Sequence, residues 1–149
     1  MNPNIKIAER LAIMATLDPS SQAAGAANSG WVSMANMNSL MALIAVGAFG
    51  ASATVDAKLQ QAQDNAGTGA KDITGKAITQ LLAAGGNNRQ VTIECRDTDL
   101  DTNNGFSYVR LVLTVGTAAT LTSAVLFGGN PAYVPASAFN QAGVAQQVG

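Results

Sequence analysis

A chain of 149 residues is long enough to bury roughly two thirds of the surface its unfolded form exposes, and a single cysteine means that it does so without an internal disulfide. A net charge of −1, with 11% of residues charged, excludes the basic field that neutralises nucleic-acid phosphates. The chain has no histidine, so the commonest general base, the commonest neutral metal ligand and every Ser/His/Asp or Cys/His arrangement are absent, and it reads as a non-enzyme without a cofactor.

Met1 to Gly30 reads as an N-terminal arm and loop. Ile5, Ala8, Leu11, Ala12 and Ala15 fit a helical stripe, while Leu11, Ile13, Ala15 and Leu17 fit a strand. The reading adopted is an extended arm that becomes a strand over Leu11 to Leu17 and ends at Asp18-Pro19-Ser20-Ser21, where proline fixes φ. The first ten residues mix polar and charged side chains before any apolar run, unlike a secretory signal. The following SQAAGAANSG has no apolar periodicity and is expected to be a loop. Trp31, the only tryptophan, is expected to cap one end of the core. Met34, Met37 and Met41 fit either gap-filling core positions or an adaptable contact surface.

The stretch SLMALIAVGAFGASATVDAKLQQA, from Ser39 to Ala62, joins the most apolar run to the clearest alternation. Leu40 to Val46 is apolar on both faces, Gly47 to Gly50 is a corner, and Val55, Ala57 and Leu59 alternate with Thr54, Asp56, Lys58 and Gln60. The stretch reads as two adjacent strands in a core hairpin, and the first strand requires cover on both faces, from the core on one side and from an arm or second subunit on the other. The apolar run, roughly 14 residues and broken by two glycines, falls short of the roughly 20 that span a bilayer, so no membrane partner is expected.

Asp64 to Gly69 reads as a loop whose Gly-x-Gly lacks the third glycine and the flanking strand and helix of a phosphate-binding turn. Residues 70 to 84 place Ile73, Ala77, Ile78, Leu81 and Leu82 at near-helical spacing interrupted by Gly75, and fit either a short helix or a strand and a turn. Gly85-Gly86-Asn87-Asn88 marks a turn. Strands follow at Arg89 to Cys95, with Val91, Ile93 and Cys95 inward, and at Phe106 to Val115, with Val109, Leu111, Leu113 and Val115 inward. A third runs from Ala119 to Phe127 and is expected to end at a Gly-Gly-Asn-Pro turn. Cys95 is expected to be a buried structural thiol. From Pro131 onward the tail is too sparsely apolar to fold by itself and reads as an arm that packs on something else.

Between two of these strands lies RDTDLDTNNG, Arg96 to Gly105, whose alternating Asp and Asn oxygens invite comparison with calcium loops. If Asp97 opens the loop, the required glycine falls on Thr102 and the closing glutamate on Tyr108. Starting at Asp99, they fall on Asn104 and Arg110. Both registers fail, so the loop reads as a turn and no metal is assigned to Asp97 or to the residues up to Asn104.

Seven or eight short strands with regularly spaced turns point to an all-β fold, an antiparallel β-sandwich or jelly roll. Residues 31–136 form its body, 1–30 the N-terminal arm and loop, and 137–149 the C-terminal arm.

The segments Gly30-Trp31-Val32, GAFGASATVDAKLQQAQDNAGTGAKDITGKAITQL, LDTNNGFSYVRLVLTVGTA and AVLFGGNPAYVPA, spread over about residues 30 to 136, resemble a group of small virion structural proteins of tailed bacteriophages and prophages. The resemblance is one of overall pattern and carries no catalytic position. It implies a capsid decoration or cement protein, made in the bacterial host cytoplasm and placed on the capsid exterior. Its implied partners are the phage major capsid protein and further copies of itself, as a dimer or trimer on the shell. On that view the interface candidates are Ile5, Ile7, Leu11 and Met14 at one end, Met34, Met37 and Met41 in the centre, and Phe139, Val144 and Val148 at the other end. The alternative is a head-fibre or tail-associated module that binds a host glycan, for which clustered exposed aromatics drawn from Phe106, Tyr108 and Tyr133 are required.

Overall fold

The structure is a computed structural model, and it describes residues 4–149. Ten strand segments fill two antiparallel sheets: β1 (Leu11–Gln22), β2 (Gly25–Asn28), β3 (Val32–Ser33), β4 (Met37–Val46), β5 (Thr54–Ala62), β6 (Lys71–Ala77), β7 (Leu81–Leu82), β8 (Arg89–Arg96), β9 (Tyr108–Gly116) and β10 (Thr120–Pro131). The first sheet has the order β1-β10-β4-β8. The second has the order β2-β9-β5-β6, with β3 also paired to β9 and β7 also paired to β5.

Since β2 and β3 share one partner, and β6 and β7 share another, the described residues have eight strand positions. Numbered along the sequence, they order as 1-8-3-6 and 2-7-4-5. Successive strands therefore change sheet at every connection except the one between β5 and β6, which is the double Greek key of a jelly roll.

This topology corrects the hairpin expected over Ser39 to Ala62. Both strands form where the alternation places them, but β4 belongs to the first sheet and β5 to the second. The Gly47–Gly50 corner carries the chain across the sandwich, so the two strands face one another instead of pairing. Inward positions alternate accordingly: Leu40, Ala42, Ile44 and Val46 of β4 meet Val55, Ala57 and Leu59 of β5 and Val109, Leu111, Leu113 and Val115 of β9 in one core cluster. Each Val, Leu or Ile side chain among them contributes about 1.5–3 kcal/mol when fully buried.

Other expectations are met in part or change. In the segment 1–30 the strand expected over Leu11 to Leu17 forms as β1, but it continues through Asp18-Pro19 with a register shift between Leu17 and Ser20, and the stretch read as a loop contains β2. Residues 70–84, which fit either a short helix or a strand and a turn, contain β6 and β7. The Gly128-Gly129-Asn130-Pro131 stretch is no turn: Gly128 lies opposite Leu40, Gly129 opposite Ser39 and Pro131 opposite Met37. A Cβ at Gly128 would stand 2.9 Å from Met37 Cγ and 3.0 Å from Met14 Cγ, so glycine is what lets these two methionines cross the strand.

The C-terminal arm folds back onto its own chain. A 3-10 turn at Ala136–Phe139 buries Ala136 with Ala12 and Met37, and Phe139 and Met14 pack against that small cluster.

Candidate assembly surface

Strand periodicity makes the outer face of the first sheet unusual. On β4 the outward residues are Ser39, Met41, Leu43 and Ala45. Their partners on β10 are Gly129, Phe127, Val125 and Ser123, and on β8 they are Arg96, Glu94, Thr92 and Gln90. Met41, Leu43, Ala45, Val125 and Phe127 thus form an apolar block across the two central strands, with Leu11, 39% exposed, beside it on β1. The five block residues are partly exposed, while the inward neighbours Ala42 and Ile44 are 0% exposed.

Hollows flank the block. One, of about 650 Å³, is lined at one end of the face by Leu11, Met41 and Phe127 together with Glu94, Arg96 and Asn130. Another, of about 380 Å³, lies toward the other end between Pro19, Ala45, Gly47 and Leu121.

The outer face of the second sheet has the opposite character. Lys58 Nζ donates to Asp72 at 2.8 Å, Gln60 Nε2 donates to the other Asp72 oxygen at 2.8 Å, and Arg110 donates to Gln60 Oε1 from Nε and Nη2 at 3.1 and 2.8 Å. The Arg110 guanidinium lies 4.5 Å from the Trp31 ring centroid. Gly67 lies against the same ring, since a Cβ there would stand 2.8 Å from Trp31 Nε1. Trp31 therefore pins a loop to the polar sheet face. Hydrogen bonds from Lys58 and then Gln60 hold the Asp72 carboxyl below its ordinary pKa.

In the Arg96–Gly105 loop the carboxylates already have partners. Asp99 accepts the Arg96 N–H at 2.8 Å and an ion pair from Lys76 at 3.0 Å, and these lower its pKa in that order. Asp101 pairs with Lys71 at 2.6 Å and accepts two bonds from the Asn104 amide, with the same effect. Among the described residues no three His, Cys, Asp or Glu side chains gather as metal ligands. Lys71 also sits 4.1 Å from the centroid of Phe106, which is buried beneath it.

The interface candidates fall into three groups. Leu11 and Met41 lie on the apolar face. Met34 and Met37 are buried inside the chain, at 6% and 1% exposure, and Met14 and Phe139 pack against the cluster that holds Met37, so these four serve the chain's own packing. Ile5 and Val144 are partly exposed, and Ile7 and Val148 stand in solvent at 76% and 85%. Leu43, Val125 and Phe127 were not among the candidates. Their signal is the second register of each strand: odd-numbered residues of β10 from Leu121 to Phe127 are apolar at three of four positions, just as odd and even positions of β4 both are.

No family model matches the chain, and no curated protein does. Solved structures similar to it include a Triatoma virus chain, 9% identical, TM-score 0.48, covering 95% of this chain and 74% of that one. The SPBc2 prophage-derived protein YomS is 13% identical with a TM-score of 0.43, covering 84% and 99%. The CBM22-2 xylan-binding domain of Paenibacillus barcinonensis Xyn10C is 10% identical with a TM-score of 0.40, covering 80% and 98%. At such identities and scores these likenesses carry no argument about function, and the jelly-roll assignment stands on the strand order itself.

Proposed function

We propose that this chain is a structural virion protein, a decoration or cement protein that docks on the exterior of a phage head against the major capsid protein. The observation that carries the reading is the apolar block Met41, Leu43, Ala45, Val125 and Phe127 on the outer face of one sheet, while the outer face of the other carries Lys58, Gln60, Asp72 and Arg110. An antiparallel sheet that faces water on one side keeps that side polar, so an apolar outer face calls for a covering partner.

Size decides what kind of partner fits. Four strands about 4.8 Å apart, taken over the 8 residues of the shortest, β8, at about 3.4 Å each, make a face of roughly 520 Å². That is about two thirds of the ~800 Å² per partner in a standard stable complex, so one such contact is weak. A repeating shell overcomes this by multivalency, particularly when the chain sits there as a dimer or trimer. The histidine-free sequence and the resemblance to small phage virion proteins agree with this role. The glycan-binding alternative is less favoured, because of the aromatics it requires Phe106 is buried and Tyr108 is only partly exposed, which leaves Tyr133 as the one fully in solvent.

The test is co-sedimentation with undecorated heads. The double variant Leu43→Lys/Val125→Lys is expected to lower occupancy at least about tenfold, one factor of ten for each 1.4 kcal/mol lost. Thr114→Lys, on the outer face of the second sheet, is expected to bind like the parent. Equal saturation by all three proteins would show that the apolar face is not the docking surface.

A further inference from the structure

We infer that β8 pairs with β8 of a second copy of this chain across a two-fold axis at Thr92, joining the two first sheets edge to edge. The pairing itself does not depend on the virion role.

The two sheets have four edges, and three of them are broken. β1 contains Pro19 and a register shift, and the C-terminal segment takes both main-chain groups of Ile13: its N–H donates to Asn140 Oδ1 at 2.8 Å and its carbonyl accepts the Gln141 N–H at 2.7 Å. The edge at β2 and β3 is split into pieces of four and two residues. β6 is interrupted at Gly75, φ +76°, with a register shift against β5. β8 has no such break. It runs from Arg89 to Arg96 in continuous register with β4, without proline or bulge, and so presents an open template for another strand.

Ladder parity identifies the open row. Arg96 N–H turns away from β4 to Asp99 Oδ2 at 2.8 Å, and in an antiparallel ladder every second residue turns the same way. The Ile13 contacts give the same parity, carried across the sheet by the register Ile13–Phe127–Met41–Glu94. The N–H and C=O groups of Gln90, Thr92 and Glu94 therefore point off the edge, and among the described residues nothing bonds them.

This row is complementary to itself. An axis at Thr92 sets Thr92 against its own copy and Gln90 against Glu94 of the second copy, so every free N–H and C=O of both rows is bonded. Outward residues meet outward ones: the Gln90 amide faces the Glu94 carboxylate, no like charges stand opposite, and Val91, partly exposed on the inward side, lies against Ile93. A shift of two residues spoils the match. It sets Gln90 against Arg96, whose N–H already serves Asp99, or Glu94 against Asn88, beyond the strand end. With one unbroken edge per chain, β8 meets β8 and the two-fold closes the assembly as a dimer.

The axis stands perpendicular to the sheet, so both outer faces look the same way. The two apolar blocks then lie three strand spacings apart, roughly 14 Å, on a joined face of about 1,000 Å². That exceeds the ~800 Å² per partner of a standard complex, which a single chain does not reach.

Light scattering of the parent is expected to give twice 15.1 kDa. Thr92→Pro removes the N–H at the axis and leaves the β4 ladder whole, because that N–H faces away from it, and is expected to give a single-chain mass with the parent's urea midpoint. If Thr92→Pro unfolds, Thr92→Lys gives the same reading by setting two ammonium groups opposite one another. Oxidation reads the register. Thr92→Cys is expected to form interchain disulfide in at least about tenfold the yield of Gln90→Cys, since the pairing holds the Thr92 α-carbons about 5.5 Å apart and the Gln90 α-carbons roughly 14 Å apart. The buried Cys95 stays out of the reaction. A single-chain mass for the parent, a doubled mass that persists in the folded Thr92 variants, or equal disulfide yields from the two cysteine variants overturns the inference. These readings use the isolated chain, so they are separate from the co-sedimentation that tests docking.

Discussion

Ser29 shows how much one small polar residue holds. It is 6% exposed, its N–H donates to Leu111 O at 2.9 Å, and its Oγ accepts the Leu111 N–H at 2.9 Å while donating to Gly30 O at 3.0 Å. Beyond the last residue of β2, this single side chain continues the pairing with β9. Ser29→Ala leaves the Leu111 N–H buried without a partner and is expected to cost about 1–3 kcal/mol in urea unfolding. Gly67 carries a different constraint: its φ is +86° and a Cβ would press on Trp31 Nε1 at 2.8 Å. Gly67→Ala is expected to destabilise by about 1–3 kcal/mol and to shift the fluorescence of the single tryptophan as the loop moves off the ring. Neither residue was legible from the sequence. Ser29 sits in a run of small residues without periodicity, and the partner of Gly67 lies more than thirty positions away, so pattern alone cannot bring the two together.

At the scale of elements, alternation was informative where one face of a strand is buried and the other wet. β5, β8 and β9 lie within a residue or two of where Val55-Ala57-Leu59, Val91-Ile93-Cys95 and Val109-Leu111-Leu113 place them. It failed for β2, whose Gly25-Ala26-Ala27-Asn28 has no large side chain to report a face and is held through pairing with β9. It failed again at Gly128-Gly129, because turn chemistry and close approach of two methionines ask for the same residue. β4 is the instructive case. Both its registers are apolar, and the structure separates them: Ile44 is fully buried while Leu43, next to it, is partly exposed. Ile44→Ala is expected to cost about 2–5 kcal/mol, as cavity-forming substitutions in a packed core do. Leu43→Ala is expected to cost under about 1 kcal/mol in the isolated chain, where no partner packs on it. Urea midpoints for the pair distinguish core from outer face, and equal losses would mean that Leu43 is already covered in solution.

For the molecule as a whole, the absence of histidine fixes where stability can respond to pH, since no side chain has an ordinary pKa near neutrality. Asp64, Asp72, Asp99 and Asp101 all have carboxyl pKa values below the ordinary 3.8, each held down first by a hydrogen bond, from Thr68, Lys58, the Arg96 N–H and Lys71 respectively. A carboxylate with a depressed folded pKa stabilises above its unfolded value, and that contribution is lost as pH falls below 3.8 toward the folded values. Cys95 works in the other direction. Burial, followed by the nearby Asp99 charge, pushes its thiol from 9.0 up to about 11, so the folded chain holds the proton more tightly. Its contribution is complete below pH 9.0 and drains away up to about 11, on the order of 2–3 kcal/mol at 1.36 kcal/mol per unit. Urea midpoints are therefore expected to be flat from about pH 5 to 9, falling on both sides. Only the alkaline fall should disappear in Cys95→Ala, and the acid fall should shrink in Lys71→Met, which removes the main partner of Asp101. An alkaline fall of equal size in Cys95→Ala would place its cause in another group.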